Sequence, residues 1–132
     1  MPVTNTTGEQ VLEAVVAGPD EANRLFTITG AASVQIFLPG GQPKTETWTF
    51  LVGPTLTRRQ FFRAIGTASV SFQNLNVQTA PFSFQVAINS VEADWDDESE
   101  RVEVRVEVLL RSNLMSVNVN QLRYWVTILG QI

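Results

Sequence analysis

Glu92, Asp94, Asp96, Asp97, Glu98, Glu100, Glu103 and Glu107 place eight of the chain's thirteen carboxylates between positions 92 and 107, in the stretch VEADWDDESERVEVRVEV. Carboxylates at this density suggest two chemistries. Hard cations such as Ca²⁺ take several oxygen ligands, and acids on a turn supply them. Asp94, Asp96 and Glu98 recur at period two and would share a strand face, with Asp97 and Glu100 beside the turn, so these five are the candidate metal ligands. The glycine and spacing of an EF-hand loop are missing. The second chemistry is glycoside hydrolysis, which needs two acids about 5–10 Å apart across a cleft, one of them held protonated. Glu13 or Glu46 would have to be the distant partner, because acids crowded on one wet turn do not provide two unlike environments.

A solvated hairpin explains the same residues more simply. Glu92 and Asp94 precede the turn, Glu103, Arg105 and Glu107 follow it, and Trp95 anchors the run from the opposite face. Cross-strand pairs of this kind add about 0.2–1 kcal/mol each, and charged edges discourage unwanted strand pairing. The pattern favours the hairpin over the ion site.

Other catalytic equipment is scarce. The chain contains no His and no Cys, which removes the commonest general base, the triad imidazole, the usual zinc ligands and all thiol chemistry. Gly40-Gly41 lies between prolines without the Lys and Ser/Thr of a phosphate loop, and no serine elbow or cofactor motif is present. The expectation is therefore a non-enzymatic protein with no catalytic or cofactor-binding residues, Ca²⁺ at the acidic turn being the only ion the sequence suggests.

Charge is unevenly spread. The formal net charge is −4; residues 92–107 contribute −6 (2 − 8) and the remainder +2 (7 − 5). Eight of the nine basic residues are Arg, the better residue for bidentate interface contacts. Arg58, Arg59 and Arg63 form a basic cluster, and Arg123-Tyr124-Trp125 joins a cation to two aromatics. Tyr, Trp and Arg are enriched at interfaces, so these six are the candidate interface residues. Trp48, Trp95 and Trp125 could also make a sugar-stacking platform, although the neighbours of Trp48 and Trp95 mark those two as core. Without a basic face, nucleic acid is not an expected partner. No apolar run approaches the roughly 20 residues that span a bilayer, and residues 1–10 lack the basic and apolar regions of a signal peptide. The expectation is synthesis in the cytoplasm and association with a particle, not a membrane.

The elements that must position these residues are mostly strands. Residues 1–8 read as a loose arm, followed by one domain over 9–132. Thr6 with Glu9, or Thr7 with Gln10, fits a capping box ahead of Val11, Leu12, Val15 and Val16, and predicts a short helix stopped by Gly18-Pro19, with a strand as the close second. Thr57 with Gln60, then Phe61, Phe62, Ile65 and Gly66, predicts another over 57–66. Alternation marks strands at 25–30, 33–38, 44–52, 68–77, 82–95, 102–108 and twice in the tail. Even-to-odd slips at Asn74 and at Asn89-Ser90 suggest bulges. The run 122–129 is apolar on both faces, so it is central or covered by a partner.

These features predict an all-β fold: an antiparallel, jelly-roll-like β-sandwich of about eight or nine strands with one or two short helices. A closed β-barrel is the alternative, and a barrel would hold an apolar small molecule. The functional expectation is a structural or interaction protein that self-assembles as a homo-oligomer within a multi-copy, virion-like particle. A carbohydrate- or other ligand-binding sandwich with an aromatic face is the alternative, and a carboxylate hydrolase comes last. In the assembly the acidic hairpin of one copy meets the Arg58, Arg59 and Arg63 patch of the next, a head-to-tail contact that closes into a ring or runs into a fibre.

Overall fold

Val102, Val104, Val106, Val108 and Leu110 recur at period two, and all five are fully buried. Their strand must therefore lie beneath a second layer. The computed structural model describes residues 5–16, 23–37, 43–71, 84–112 and 116–131, and that layer is among them. In chain order the strands are β1 (Asn5–Val15), β2 (Asn23–Phe37), β3 (Lys44–Val52), β4 (Phe61–Ser71), β5 (Phe84–Asp96), β6 (Arg101–Ser112) and β7 (Ser116–Gln131). They form two antiparallel sheets, one of four strands in the order β1-β2-β7-β4 and one of three in the order β3-β6-β5. The described residues contain no helix, and their sheets keep separate edges instead of closing into a barrel.

Both predicted helices are strands. Thr57 and Gln60 do make the local contact that the capping pattern implies, with the Thr57 N–H donating to Gln60 Oε1 at 2.8 Å. The Gln60 and Phe61 N–H groups then close a single turn on the Thr57 carbonyl. The chain leaves that turn as β4 because Ala64, Ala68 and Val70 alternate against the core, which a helix could not satisfy. The first predicted helix is β1, the close second of the two readings, and it takes in residues 5–8 of the expected arm. Fewer strands are described than expected because the runs at 25–30 and 33–38 are one strand with a register shift between Ala32 and Val34, and the two tail runs are both β7. The slip at Asn89-Ser90 is a bulge, seen as a register shift between Ile88 and Ser90. The slip at Asn74 and the turns at 18–19 and 39–42 lie outside the described residues.

Facing rows of apolar side chains fill the space between the sheets. Phe26, Ile28, Ala32 and Val34 of β2 and Leu122, Tyr124, Val126 and Ile128 of β7 meet Trp48, Phe50 and Val52 of β3 and the β6 valines. Each fully buried aliphatic side chain contributes about 1.5–3 kcal/mol. The 122–129 run is central, as its two-sided apolarity predicts, with β2 on one side and β4 on the other. The Phe50 and Tyr124 rings pack across the gap with centroids 4.6 Å apart. Gly53 has φ +77, and a Cβ there would lie 2.9 Å from the Cδ1 atoms of Ile28 and Ile128, so the turn after β3 has no room for a side chain.

Tyr124 is a core residue, only 3% exposed, and so cannot offer its ring to an interface. Its side chain lies across its cross-strand neighbour Gly30, where a Cβ would collide with the ring. Its hydroxyl is buried without a hydrogen-bond partner among the described residues, and burial pushes its ionisation above the ordinary tyrosine range. An orphaned buried hydroxyl costs about 1–3 kcal/mol. Tyr124→Phe is therefore expected to raise stability by about 1 kcal/mol, read as a higher urea midpoint at unchanged slope.

Candidate functional site

Strand pairing decides what the outer face of the four-stranded sheet displays. Trp125 of β7 lies opposite Thr29 of β2 and Thr67 of β4, and Gln10 of β1 lies beyond Thr29. The next row is Thr7, Ala31, Arg123 and Ser69; on the other side come Leu12, Thr27, Thr127 and Ile65, then Ala14, Leu25, Leu129 and Arg63. Trp125 is 57% exposed, Leu12 70% and Ile65 59%. These four rows contain two cations, Arg63 and Arg123, and no carboxylate. The first two rows enclose a groove of about 590 Å³ with Trp125 and Arg123 in its wall. Trp125 and Ile65 lie on neighbouring strands in adjacent rows, and Leu12 lies on the far edge strand with Thr27 and Thr127 between it and Ile65.

The three-stranded sheet carries the opposite character. Three of its outward rows are Leu51, Glu103 and Asp94; Thr49, Arg105 and Glu92; and Thr47, Glu107 and Ser90, flanked by Arg101 opposite Asp96 at one end and by Leu109 and Arg111 at the other. Four carboxylates thus surround one guanidinium, and Arg105 Nε donates to Glu103 Oε1 at 2.7 Å. A recess of about 130 Å³ opens here, lined by Glu92, Asp94, Trp95, Asp96, Glu103 and Arg105.

The acidic turn is tied to the loop that follows β3. The Asp96 carboxylate accepts from the Ser99 N–H at 3.0 Å and the Ser99 hydroxyl at 2.7 Å, and these bonds hold its pKa below the ordinary range. Glu100 takes a left-handed φ of 56, and its carbonyl accepts from the Leu56 N–H at 2.8 Å. The Trp95 indole donates to the Leu56 carbonyl at 2.7 Å, and Arg101 Nε donates to the Gly53 carbonyl at 2.9 Å. Asp94 Oδ1 accepts from the Trp95 N–H at 2.8 Å. Among the described residues, no three acidic side chains come together in a group able to hold a metal ion. The candidate ligands Asp94, Asp96, Asp97, Glu98 and Glu100 are therefore dispersed along a braced hairpin and do not converge.

The basic cluster is also dispersed. The Arg58 guanidinium lies 5.6 Å from the Trp95 ring centroid, Arg59 is exposed on the turn, and Arg63 lies on the outer face of β4. Arg63 thus joins Arg123 and Trp125 on the four-stranded face, and Arg58 serves the loop–turn contact. Leu12 and Ile65 are surface residues that the sequence does not reveal, because both lie in segments with helical patterning, where they count as core. Glu46 shows the clearest carboxylate electrostatics. Burial pushes it up, but the Trp48 indole donating to Oε2 at 3.0 Å and the Lys44 ammonium 3.0 Å from Oε1 outweigh that. Its carboxyl is held below the ordinary range, the wrong direction for a proton donor.

Among the described residues, no helix is long and apolar enough to cross a membrane. Comparison with models of protein families, with curated proteins and with solved structures finds no match for this chain.

Proposed function

We propose that the protein is a non-enzymatic structural subunit that self-assembles in many copies, the four-stranded face of one copy stacking on the three-stranded face of the next. The supporting observation is the division of charge between the two outer faces. One is free of carboxylates in its four rows and bears Arg63, Arg123 and exposed Trp125, Leu12 and Ile65. The opposite one sets Glu92, Asp94, Glu103 and Glu107 around Arg105. Complementary charge steers the encounter and fixes register, while the exposed Trp125, Leu12 and Ile65 exclude water and supply much of the binding energy. A guanidinium from the neighbouring copy suits the recess beside Glu92 and Asp94 in charge and planarity. Front-to-back stacking of two different faces is heterologous, so copies build a ring or a filament, as a particle component does. The sandwich is jelly-roll-like in this reading, with seven strands among the described residues against the usual eight.

A second reading rests on the Trp125 groove: hydroxyl-bearing Thr29, Thr67 and Ser69 around a half-exposed indole suit a saccharide as well as a protein. Trp125 distinguishes the two. Its emission is expected to shift to shorter wavelength as protein concentration rises at low salt, and Trp125→Phe is expected to remove that shift, since Trp48 is fully buried and Trp95 half-buried in a single copy. A concentration-independent spectrum that moves only on adding polysaccharide would favour the saccharide.

A further inference from the structure

The two sheets do not match in width, and the mismatch lies on one side. Gly66 of β4 lies against Val91 and Ala93 of β5, so those edges meet. Phe50 of β3 packs on Tyr124 of β7, and Gly53 just after β3 lies against Ile28 of β2 and Ile128 of β7. Among the described residues the three-stranded sheet therefore ends at β3, beneath β2 and β7, and no strand lies beneath β1. Val11 pairs with Ile28 and Val15 with Arg24, so both point to the same side as the buried row of β2. Yet Val11 is 53% and Val15 61% exposed.

The edges beside this gap carry three charges on the gap side: Glu13 of β1, opposite Phe26 and so pointing the same way as Val11 and Val15, and Lys44 and Glu46 of β3, opposite Leu110 and Val108. Sheets usually protect an edge with Lys, Pro, bulges or inward-pointing charges. β1 has one bulge, at Gly8 with φ +64, where the register shifts between Thr7 and Gln10. From Gln10 to Val15 the strand is regular and carries a single charge, Glu13, whose carboxylate lies 3.4 Å from Arg24 Nε. The outer edge of β3 is equally without a strand partner among the described residues.

We infer that this open side is a second interface between copies of the chain, in which the β1 overhang of each copy occupies the vacant position beside β3 of the other. The occupant is identified by fit: among its described residues a copy presents one unmatched strand and one unmatched position, and a half-turn of a second copy brings each against the other. Two such copies make two continuous sheets, β4-β7-β2-β1 joined to β3-β6-β5 of the partner, and the same joint again beneath it. Main-chain hydrogen bonds along 10–15 give affinity, and covering Val11 and Val15 on both copies adds apolar burial, while Glu13 between them keeps its ion pair with Arg24. The inference adds to the proposed self-assembly and rests on it only in taking the partner to be the same chain. Because this contact exchanges like elements it is isologous and closes at a dimer, whereas face stacking propagates.

Cysteine cross-linking tests it in the full chain, which has no cysteine of its own. Leu12 and Thr47 face outward on opposite sheets of one copy, so they cannot be bridged within it, whereas in the joined sheet they share a face. The variants pair Cys at 12 or 14 with Cys at 47 or 49, to cover the possible registers. At least one pair is expected to give, on oxidation, a covalent species of twice the 14.6 kDa chain mass. Adding Val11→Lys and Val15→Lys, at positions already exposed, is expected to abolish it, and Arg63→Glu with Arg123→Glu to leave it intact. Monomer from all four pairs would overturn the inference, as would cross-linking that persists with both lysines present. Loss of cross-linking with the two arginine reversals alone would also overturn it, since the contact would then belong to the stacked faces.

Discussion

Arg63→Glu with Arg123→Glu is expected to lower the face-to-face association constant by at least about 100-fold, because two favourable charge pairings become like-charge contacts costing several kcal/mol. Both side chains lie on the outer face of the four-stranded sheet, opposite the Leu129 and Ala31/Ser69 positions of their rows, and neither is in the core cluster, so the fold is expected to be kept. The reciprocal variant, Glu92→Arg with Glu103→Arg, is expected to fail in the same way. Mixing the two restores the contact, since the acidic four-stranded face of one now meets a basic three-stranded face of the other. Light scattering of each variant alone and of the equimolar mixture reads this directly. Rescue by mixing separates a specific contact from a general effect of net charge, which would leave the mixture no better than the average of its parts.

Trp48→Ala is expected to destabilise the chain by about 3–5 kcal/mol, the usual range for an aromatic removed from a packed core. Trp48 is fully buried between Val106 and the facing sheet, and its indole is also a donor to Glu46. Losing it leaves the half-buried carboxylate with the Lys44 ammonium 3.0 Å away, so Glu46 is expected to titrate closer to its ordinary value. The sign follows from linkage. A carboxyl held below its ordinary 4.5 in the folded chain adds stability above that pH and loses it as pH falls through the depressed folded value. The wild-type chain should therefore weaken on acidification below about 4.5, and Trp48→Ala should show a flatter acid limb on a lower plateau. Urea midpoints across pH 3–7 measure both. A plateau loss under about 1 kcal/mol would mean that Trp48 is not the packed residue described.

How much of this was legible depends on how local each signal is. The period-two valines of β6 announce a buried central strand without any knowledge of what covers them, and the even-to-odd slip at Asn89-Ser90 announces a bulge in the same way. β4 misleads because its capping pattern is real: Thr57 and Gln60 do bond, but one turn of local preference is outweighed by the burial of Ala64, Ala68 and Val70. β1 misleads because it has no buried face, so its apolar residues obey no strict alternation. The site was least legible. Trp125 could be suspected from its neighbours, but its flanking threonines come from β2 and β4, and only the register of those strands on β7 brings Thr29 and Thr67 beside it. Leu12, Ile65 and Arg63 join that face for the same non-local reason. The turn and the alternation mark the acidic stretch as a hairpin, and the loop that clasps it through Leu56, Gly53 and Arg58 supplies the bracing that residue spacing cannot show.

The most direct test of the central claim, that this protein works by joining its outer surfaces to those of other copies, is the sedimentation mass of the unmodified chain across protein concentration at low and high salt. Self-assembly through these faces gives a mass that rises above the 14.6 kDa of one chain as concentration increases, and falls when salt screens the stacked faces. A single 14.6 kDa species at every concentration and salt would contradict it.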